Sequence, residues 1–246
     1  MEALDLGPLD TASLALFLDV DGTLLDFAAT PDRVETPYSL IEHLGALELR
    51  LGGALALVSG RPIAQLDALF APLALRASGV HGGEIRDAPN GPIASQAREP
   101  LDDNAWRDLQ RVVENFPVLL LENKSFSFAV HYRGSEAAAR SLKAALQAMI
   151  DRRPGPALEL IEGRFVFEVK LAGFDKGRAI DHFMARAPFA GRIPVFVADD
   201  ALDRPGFERA LALGGRAYSV GHEIPYVSGW FPTAGSVRAW IERLAR

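Results

Sequence analysis

The sequence predicts an α/β protein: a doubly wound, mostly parallel sheet with an inserted α+β module. Three observations carry this. The runs Leu14–Leu18, Ala54–Val58 and Val195–Val197 are continuously apolar, as strands buried on both faces require. Helical stretches separate the early strands in β-α-β-α-β order. Past the turn cluster Ala88-Pro89-Asn90-Gly91-Pro92 the order becomes α-β-β-α-β-β, with strands that alternate apolar and polar residues.

In chain order, Leu14–Leu18 forms the first strand and ends at Asp19-Val20-Asp21-Gly22-Thr23. Thr36-Pro37 has the form of an N-cap followed by proline at the first helical position, opening an amphipathic segment to about Leu51. Ala54–Val58 is the second strand and ends at Ser59-Gly60-Arg61; a helix then runs to about Phe70. Arg76–Val80 is a short strand before His81-Gly82-Gly83-Glu84. In the module, Asp102–Phe116 is helical, Val118–Arg133 holds two strands joined near Asn123-Lys124, Ser135–Asp151 is an Ala-rich helix, and Leu158–Leu171 holds two more strands. Phe126, Phe128, Val130 and Tyr132 share one face, opposite His131 and Arg133. Phe165, Phe167 and Val169 likewise oppose Arg164, Glu168 and Lys170. One face would pack on helices, leaving the charged one available. A helix from Lys176, a strand ending at Asp199-Asp200, a helix over Phe207–Leu213, a strand over Ala217–Val220 and a helix over Ser236–Ala245 complete the chain. The expected division is a core of residues 1–98 and 173–246 around a module of residues 99–172.

The chain has 246 residues, 49% hydrophobic and 24% charged, which argues against disorder. Its net charge is −6 and no basic stripe is present, so nucleic acid is not an expected partner. With no cysteine, disulfides and thiolate catalysis are excluded. The start of the chain carries Glu2, Asp5 and Asp10 and no basic segment, and no apolar stretch is long enough to span a membrane. These features suggest a cytoplasmic protein without membrane contact. Asn123-Lys124-Ser125 matches a glycosylation sequon, which without a secretion signal is a chance match.

The polar residues at the strand ends form a chemical set. Ligands of open α/β sheets sit at the carboxyl ends of strands, where this chain places Asp19 and Asp21, Ser59, and Asp199 and Asp200, with Lys176 opening a helix. A carboxylate can attack a phosphoryl group when its charge is offset. A hard cation held by carboxylates, a hydroxyl and an ammonium would supply that offset. Singly, each residue has an ordinary reading as a turn, cap or solvated side chain. In this order and strand context they read together.

The four elements resemble the motifs of haloacid dehalogenase-type phosphohydrolases, over nearly the whole chain. The resemblance implies that Asp19 is the nucleophile and Asp21 the acid/base. Ser59 and Lys176 would hold the phosphoryl group. Asp19, Asp21 through its carbonyl, and Asp199 would ligate Mg²⁺. Related P-type ATPases have Thr at the place of Asp21, so Asp21 favours hydrolysis over a long-lived phosphoenzyme. An insertion between Ser59 and Lys176 corresponds to a cap that chooses the substrate.

Within that superfamily the chain resembles trehalose-6-phosphate phosphatases. The resemblance rests on Glu122-Asn123-Lys124, on His131-Tyr132-Arg133, and on Glu168 ahead of Phe174-Asp175-Lys176-Gly177. The loops Ser59-Gly60-Arg61 and Gly79-Val80-His81-Gly82-Gly83-Glu84 add to it. It implies a small sugar phosphate as substrate, contacted by Gly60, Arg61, His81, Glu122, Lys124, His131, Arg133 and Glu168. Any trehalose-phosphate synthase partner would be a separate chain. An alternative for Glu168 and Lys170 is mutual pairing across the module surface.

The fourth motif departs from the family, which reads Gly-Asp-Asp, one residue, then Thr-Asp-Glu. Here Ala198-Asp199-Asp200-Ala201-Leu202-Asp203-Arg204 keeps the aspartates and replaces the glycine, threonine and glutamate. Lys170 and Leu171 also stand where the family often has Arg-Pro. These changes keep two alternatives open. One is a phosphatase for sucrose-phosphate or mannosyl-phosphoglycerate. The other is a weakened protein that binds a sugar phosphate without turnover.

Overall fold

The computed structural model describes residues 11–27, 34–96, 101–116, 120–124, 126–155, 157–163 and 165–246. Arg164, expected on the charged strand face, lies outside the described residues, as do Glu2, Asp5, Asp10, Val118 and Ser125. The chain divides into two compact units, residues 1–96 with 175–246 and residues 97–174.

The first unit begins with β1 (Leu14–Leu18), α1 (Tyr38–Arg50), β2 (Leu55–Val58), α2 (Ile63–Phe70), β3 (Arg76–Gly79), β4 (Glu84–Arg86) and β5 (Ala94–Ser95). The second unit contains α3 (Asp103–Val113), β6 (Leu120–Asn123), β7 (Ser127–His131), α4 (Ala139–Arg152), β8 (Leu158–Gly163) and β9 (Val166–Leu171). The first unit resumes with α5 (Lys176–Met184), β10 (Ile193–Ala198), α6 (Arg204–Ala212), β11 (Arg216–Val220), β12 (Gly229–Phe231) and α7 (Ala234–Ala245).

The eight strands of the first unit run β12-β11-β10-β1-β2-β3-β4-β5. Pairing is parallel from β12 to β3 and antiparallel at β4 and β5. Every residue of β1 and β2 is buried, which explains their uninterrupted apolar sequence. Phe17 stacks on Phe189 at 5.3 Å between ring centroids, and Phe196 packs on Phe207 at the same separation. Emptying such a buried site by Phe→Ala typically costs about 3–5 kcal/mol. β1 and β10 lie side by side with Leu18 opposite Val197, and the Asp19 amide donates to the Val197 carbonyl at 2.9 Å. That register brings the acidic ends of two strands together at the centre of the sheet.

In the second unit the sheet order is β6-β7-β9-β8, antiparallel throughout. Phe128, Val130, Tyr132, Phe167 and Val169 form a buried cluster with Ala105 and Leu109 of α3 and Leu142 and Leu146 of α4. The alternation therefore holds: one face meets the helices, and Ser127, Glu168 and Lys170 fall on the other.

Two local features differ from the sequence expectation. Thr36 does not cap α1: Pro37 is the N-cap residue, and the buried Thr36 hydroxyl has no hydrogen-bond partner among the described residues. Thr36 is one residue too early to reach the first helical amides. The short strands β4, β5 and β12 were not expected. They sit at or near the sheet edges and form by pairing with neighbours rather than through an apolar run of their own.

Candidate active site

The first loop after β1 is shaped for close approach. Gly22 has φ +75°, and a Cβ there would lie 2.2 Å from Asp199 Oδ2. Only glycine allows both the left-handed backbone and that contact. Thr23, fully buried, donates its hydroxyl to Asp19 Oδ2 at 3.3 Å. Lys176, at the first turn of α5, donates to Asp19 Oδ1 at 2.6 Å and pairs with Asp203 Oδ1 at 2.5 Å. The helix itself is capped by Asp175, which accepts from the Arg178 amide at 2.8 Å. Asp19, Asp199 and Asp203 each present a carboxylate oxygen within 4.8 Å of the others.

Asp203, one of the aspartates kept in the fourth motif, joins the site although the resemblance gives it no role. It is 1% exposed and accepts from the Asp200 amide at 3.1 Å. Its Oδ1 is ion-paired with Lys176 Nζ at 2.5 Å and has no other partner among the described residues. Asp200 instead shapes the loop, accepting from the Leu202 amide at 3.0 Å. Arg204, at the place of the family's glutamate, pairs outward with Glu208 at 2.7 Å.

The charges of this cluster do not balance. Among the described residues, three carboxylates face one ammonium. The Asp19 carboxyl is pushed up to about 7, chiefly by burial; Asp203 and Asp21 add to the rise, and Lys176 opposes it. Burial, with the Asp19 and Asp203 charges, pushes Asp199 up to about 9. For Lys176 burial acts downward, but Asp19 and Asp203 more than offset it and raise its pKa. Buried acids that resist ionisation in this way call for further positive charge. A hard divalent cation fits the donor set, because it takes oxygen ligands and few carboxylates.

Asp21 stands apart from this excess. Both its oxygens accept from Arg61, Oδ2 from Nε at 2.6 Å and Oδ1 from Nη2 at 2.7 Å. Arg61, expected to touch substrate, is thus placed on the acid/base candidate. Its backbone amide donates to Ser59 Oγ at 3.1 Å, and its Nη1 reaches Gln65 Oε1 at 3.5 Å. Gly60 and His81 belong to the same packing: a Cβ on Gly60 would lie 2.7 Å from His81 Nε2. Val80 and His81 both have positive φ, 49° and 54°, a costly conformation for a β-branched residue. Glu84 accepts from the Ile63 amide at 2.8 Å, capping α2 where Pro62 has no side chain to do so.

In the second unit the polar sheet face carries most of the remaining expected residues. Glu168 accepts from Ser127 Oγ in a short hydrogen bond and lies 3.5 Å from Lys124 Nζ. Glu122 Oε2 lies 3.5 Å from His131 Nε2 on the neighbouring strand. Lys170 does not pair with Glu168; it binds Glu159 and the Phe174 carbonyl. Arg133 is not brought into this group, its guanidinium lying 5.3 Å from the centre of the Phe165 ring. Ser127 was missed, although its place in the alternation puts it beside Glu168's strand on the polar face.

A family model for trehalose-phosphatase matches residues 17–228. A probable trehalose-phosphate phosphatase of Sinorhizobium fredii is 36% identical over 238 residues, covering 96% of this chain and 89% of the relative. The trehalose-6-phosphate phosphatase of Escherichia coli K12 is 35% identical over 234 residues, covering 95% and 87%. Among solved structures, the C-terminal domain of Candida albicans trehalose-6-phosphate phosphatase superposes with a TM-score of 0.80 over 94% of this chain and 91% of that one. At 17% identity, that likeness concerns the fold.

Proposed function

We propose that this chain, which belongs to the trehalose-phosphatase family, hydrolyses trehalose 6-phosphate to trehalose and phosphate. The observation that carries the chemistry is the buried set of Asp19, Lys176, Asp199 and Asp203 beside Asp21. Asp19 would attack phosphorus and become an aspartyl-phosphate. Asp21 would give a proton to the departing sugar oxygen, then take one from the water that cleaves the aspartyl-phosphate. Lys176 would orient Asp19 and share the phosphoryl charge, and Ser59 would donate its hydroxyl to a phosphoryl oxygen. Asp19, Asp199, Asp203 and the Asp21 carbonyl would hold Mg²⁺. When bound, the ion would neutralise the acids and draw charge from the phosphoryl oxygens.

The inserted unit would select the sugar. Glu122, Lys124, His131 and Glu168 offer the donors and acceptors that hydroxyl groups need. Arg133, exposed on Phe165, is the weakest of the expected sugar contacts. A trehalose-phosphate synthase would supply the substrate, and a cytoplasmic location suits a chain without cysteine. Among the described residues no helix is long and apolar enough to cross a membrane.

Phosphate release from trehalose 6-phosphate, sucrose 6-phosphate and glucose 6-phosphate, with and without EDTA, tests this reading. Magnesium-dependent preference for the trehalose ester is expected. Preference for another ester would overturn the substrate, and binding without turnover would overturn the enzyme.

A further inference from the structure

We propose that Arg61 is a positioning residue for the Asp21 carboxylate, acting on departure of the sugar oxygen rather than on substrate binding. This rests on the reading of Asp21 as the proton donor. Arg61 meets Asp21 fork to fork, with Nε to Oδ2 at 2.6 Å and Nη2 to Oδ1 at 2.7 Å. A bidentate pair fixes the plane of a carboxylate as well as its position. The fork occupies two of roughly four lone-pair sites and leaves the others for the transferred proton.

Arg61 is itself anchored to the frame of the first unit. Its amide donates to Ser59 Oγ at 3.1 Å, its carbonyl accepts from the Val80 amide at 3.0 Å, and Nη1 reaches Gln65 Oε1 at 3.5 Å. All three guanidinium nitrogens therefore have partners in the protein. The arginine side chain is 10% exposed and that of Asp21 31%, so the buried partner holds the more accessible one. Asp21 lies on a loop that turns at Gly22, and without Arg61 its side chain has freedom to rotate away.

The step it serves balances simply. An Asp19 oxygen bonds to phosphorus as the bond from phosphorus to the sugar oxygen breaks. The bonding pair stays on the sugar oxygen, which takes the proton from Asp21. Water then attacks phosphorus, gives its proton back to Asp21 and releases Asp19 as a carboxylate. A misplaced Asp21 penalises the first step most when the leaving oxygen is a poor anion. A nitrophenolate departs without that proton.

The test compares an alkyl sugar phosphate with p-nitrophenyl phosphate. Arg61→Ala should lower kcat/KM, which reports phosphoryl transfer to Asp19, about 100-fold on the sugar phosphate, within the range of general-acid effects, and less than about 3-fold on the aryl ester. Hydrolysis of the aspartyl-phosphate also uses Asp21 and is common to both esters, so kcat falls on both and does not discriminate. Arg61→Lys keeps the charge without the fork and should follow Arg61→Ala rather than restore activity. In an Asp21→Asn background, Arg61→Ala should add less than about 3-fold, as coupled residues do. Equal losses of kcat/KM on both esters would overturn the proposal. If Asp21→Asn is selective and Arg61→Ala is not, the Arg61 role alone fails. If Asp21→Asn is itself unselective, the proton-donor reading fails with it. Should Arg61→Ala not fold, as judged by circular dichroism, Arg61→Gln and Arg61→Lys carry the same comparison.

Discussion

The two units treat buried charge in opposite ways. Among the described residues, three acids crowd around one lysine at the ends of β1 and β10, and Lys176 is shared between Asp19 and Asp203. On the polar face of the inserted sheet, Lys124 and Ser127 serve Glu168, Lys170 serves Glu159, and His131 faces Glu122. The first cluster is electrostatically incomplete, and the second is largely satisfied. Incompleteness is costly unless something binds. Satisfaction is compatible with either a preorganised sugar site or a structural network. Chemistry is therefore read more firmly from the first unit than specificity is from the second.

The largest expected effect breaks the incomplete cluster at its centre. Asp19→Asn should abolish turnover, by about 10⁴-fold or more as nucleophile losses do, without lowering the thermal midpoint. Lys176 keeps Asp203 as a partner in that variant. A variant with substantial activity would refute the nucleophile assignment.

Chelation comes next. EDTA should reduce activity to background, and Mg²⁺ should restore it. At about 100 times its dissociation constant Mg²⁺ should also add roughly 2.7 kcal/mol of stability, read as a raised melting temperature. An unchanged melting curve across a wide Mg²⁺ range would argue against binding at the three acids.

Glu168→Gln probes the satisfied cluster. It should lower kcat/KM for the sugar ester by roughly tenfold, about 1.4 kcal/mol, as expected for a hydrogen bond to a charged group. Turnover of p-nitrophenyl phosphate should be unaffected. Equal effects on both esters would make the network structural.

Asp102 gives the smallest effect and no loss of activity. It caps α3, accepting from the Ala105 amide at 2.7 Å, and Asp102→Ala should cost about 1 kcal/mol in a denaturant melt. That backbone hydrogen bond, with help from Arg153, holds the carboxyl below its usual range. A group lowered on folding stabilises above its unfolded pKa. The wild-type advantage over Asp102→Ala should therefore shrink as pH falls through the carboxylate range.

Much of this contrast was legible in the sequence, for reasons specific to each part. β1, β2 and β10 announce themselves because burial on both faces leaves no polar residue. The β7 and β9 faces were equally readable from alternation. β4, a Glu-Ile-Arg strand, has no such signature, since its partner strand supplies the order. The site shows the same limit. Asp19, Lys176 and Asp199 were recognisable by strand-end position, but Asp203 lies beyond the strand and joins them only through the turn into α6. Arg61 was visible as a cation. Its partner, forty residues earlier, is set by the neighbouring positions of β1 and β2 rather than by spacing.

The pairing of β1 with β10 has a consequence for how such a protein can change. The distance between Asp19 and Asp199 is set by backbone hydrogen bonds between adjacent strands, not by the 97–174 segment between them in sequence. Asp19, Lys176, Asp199 and Asp203 all belong to the first unit. The intervening segment can thus drift, lengthen or be exchanged while the acids keep their spacing. If the inserted unit selects the ester, as proposed, a new substrate could be acquired without disturbing the residues that cleave it.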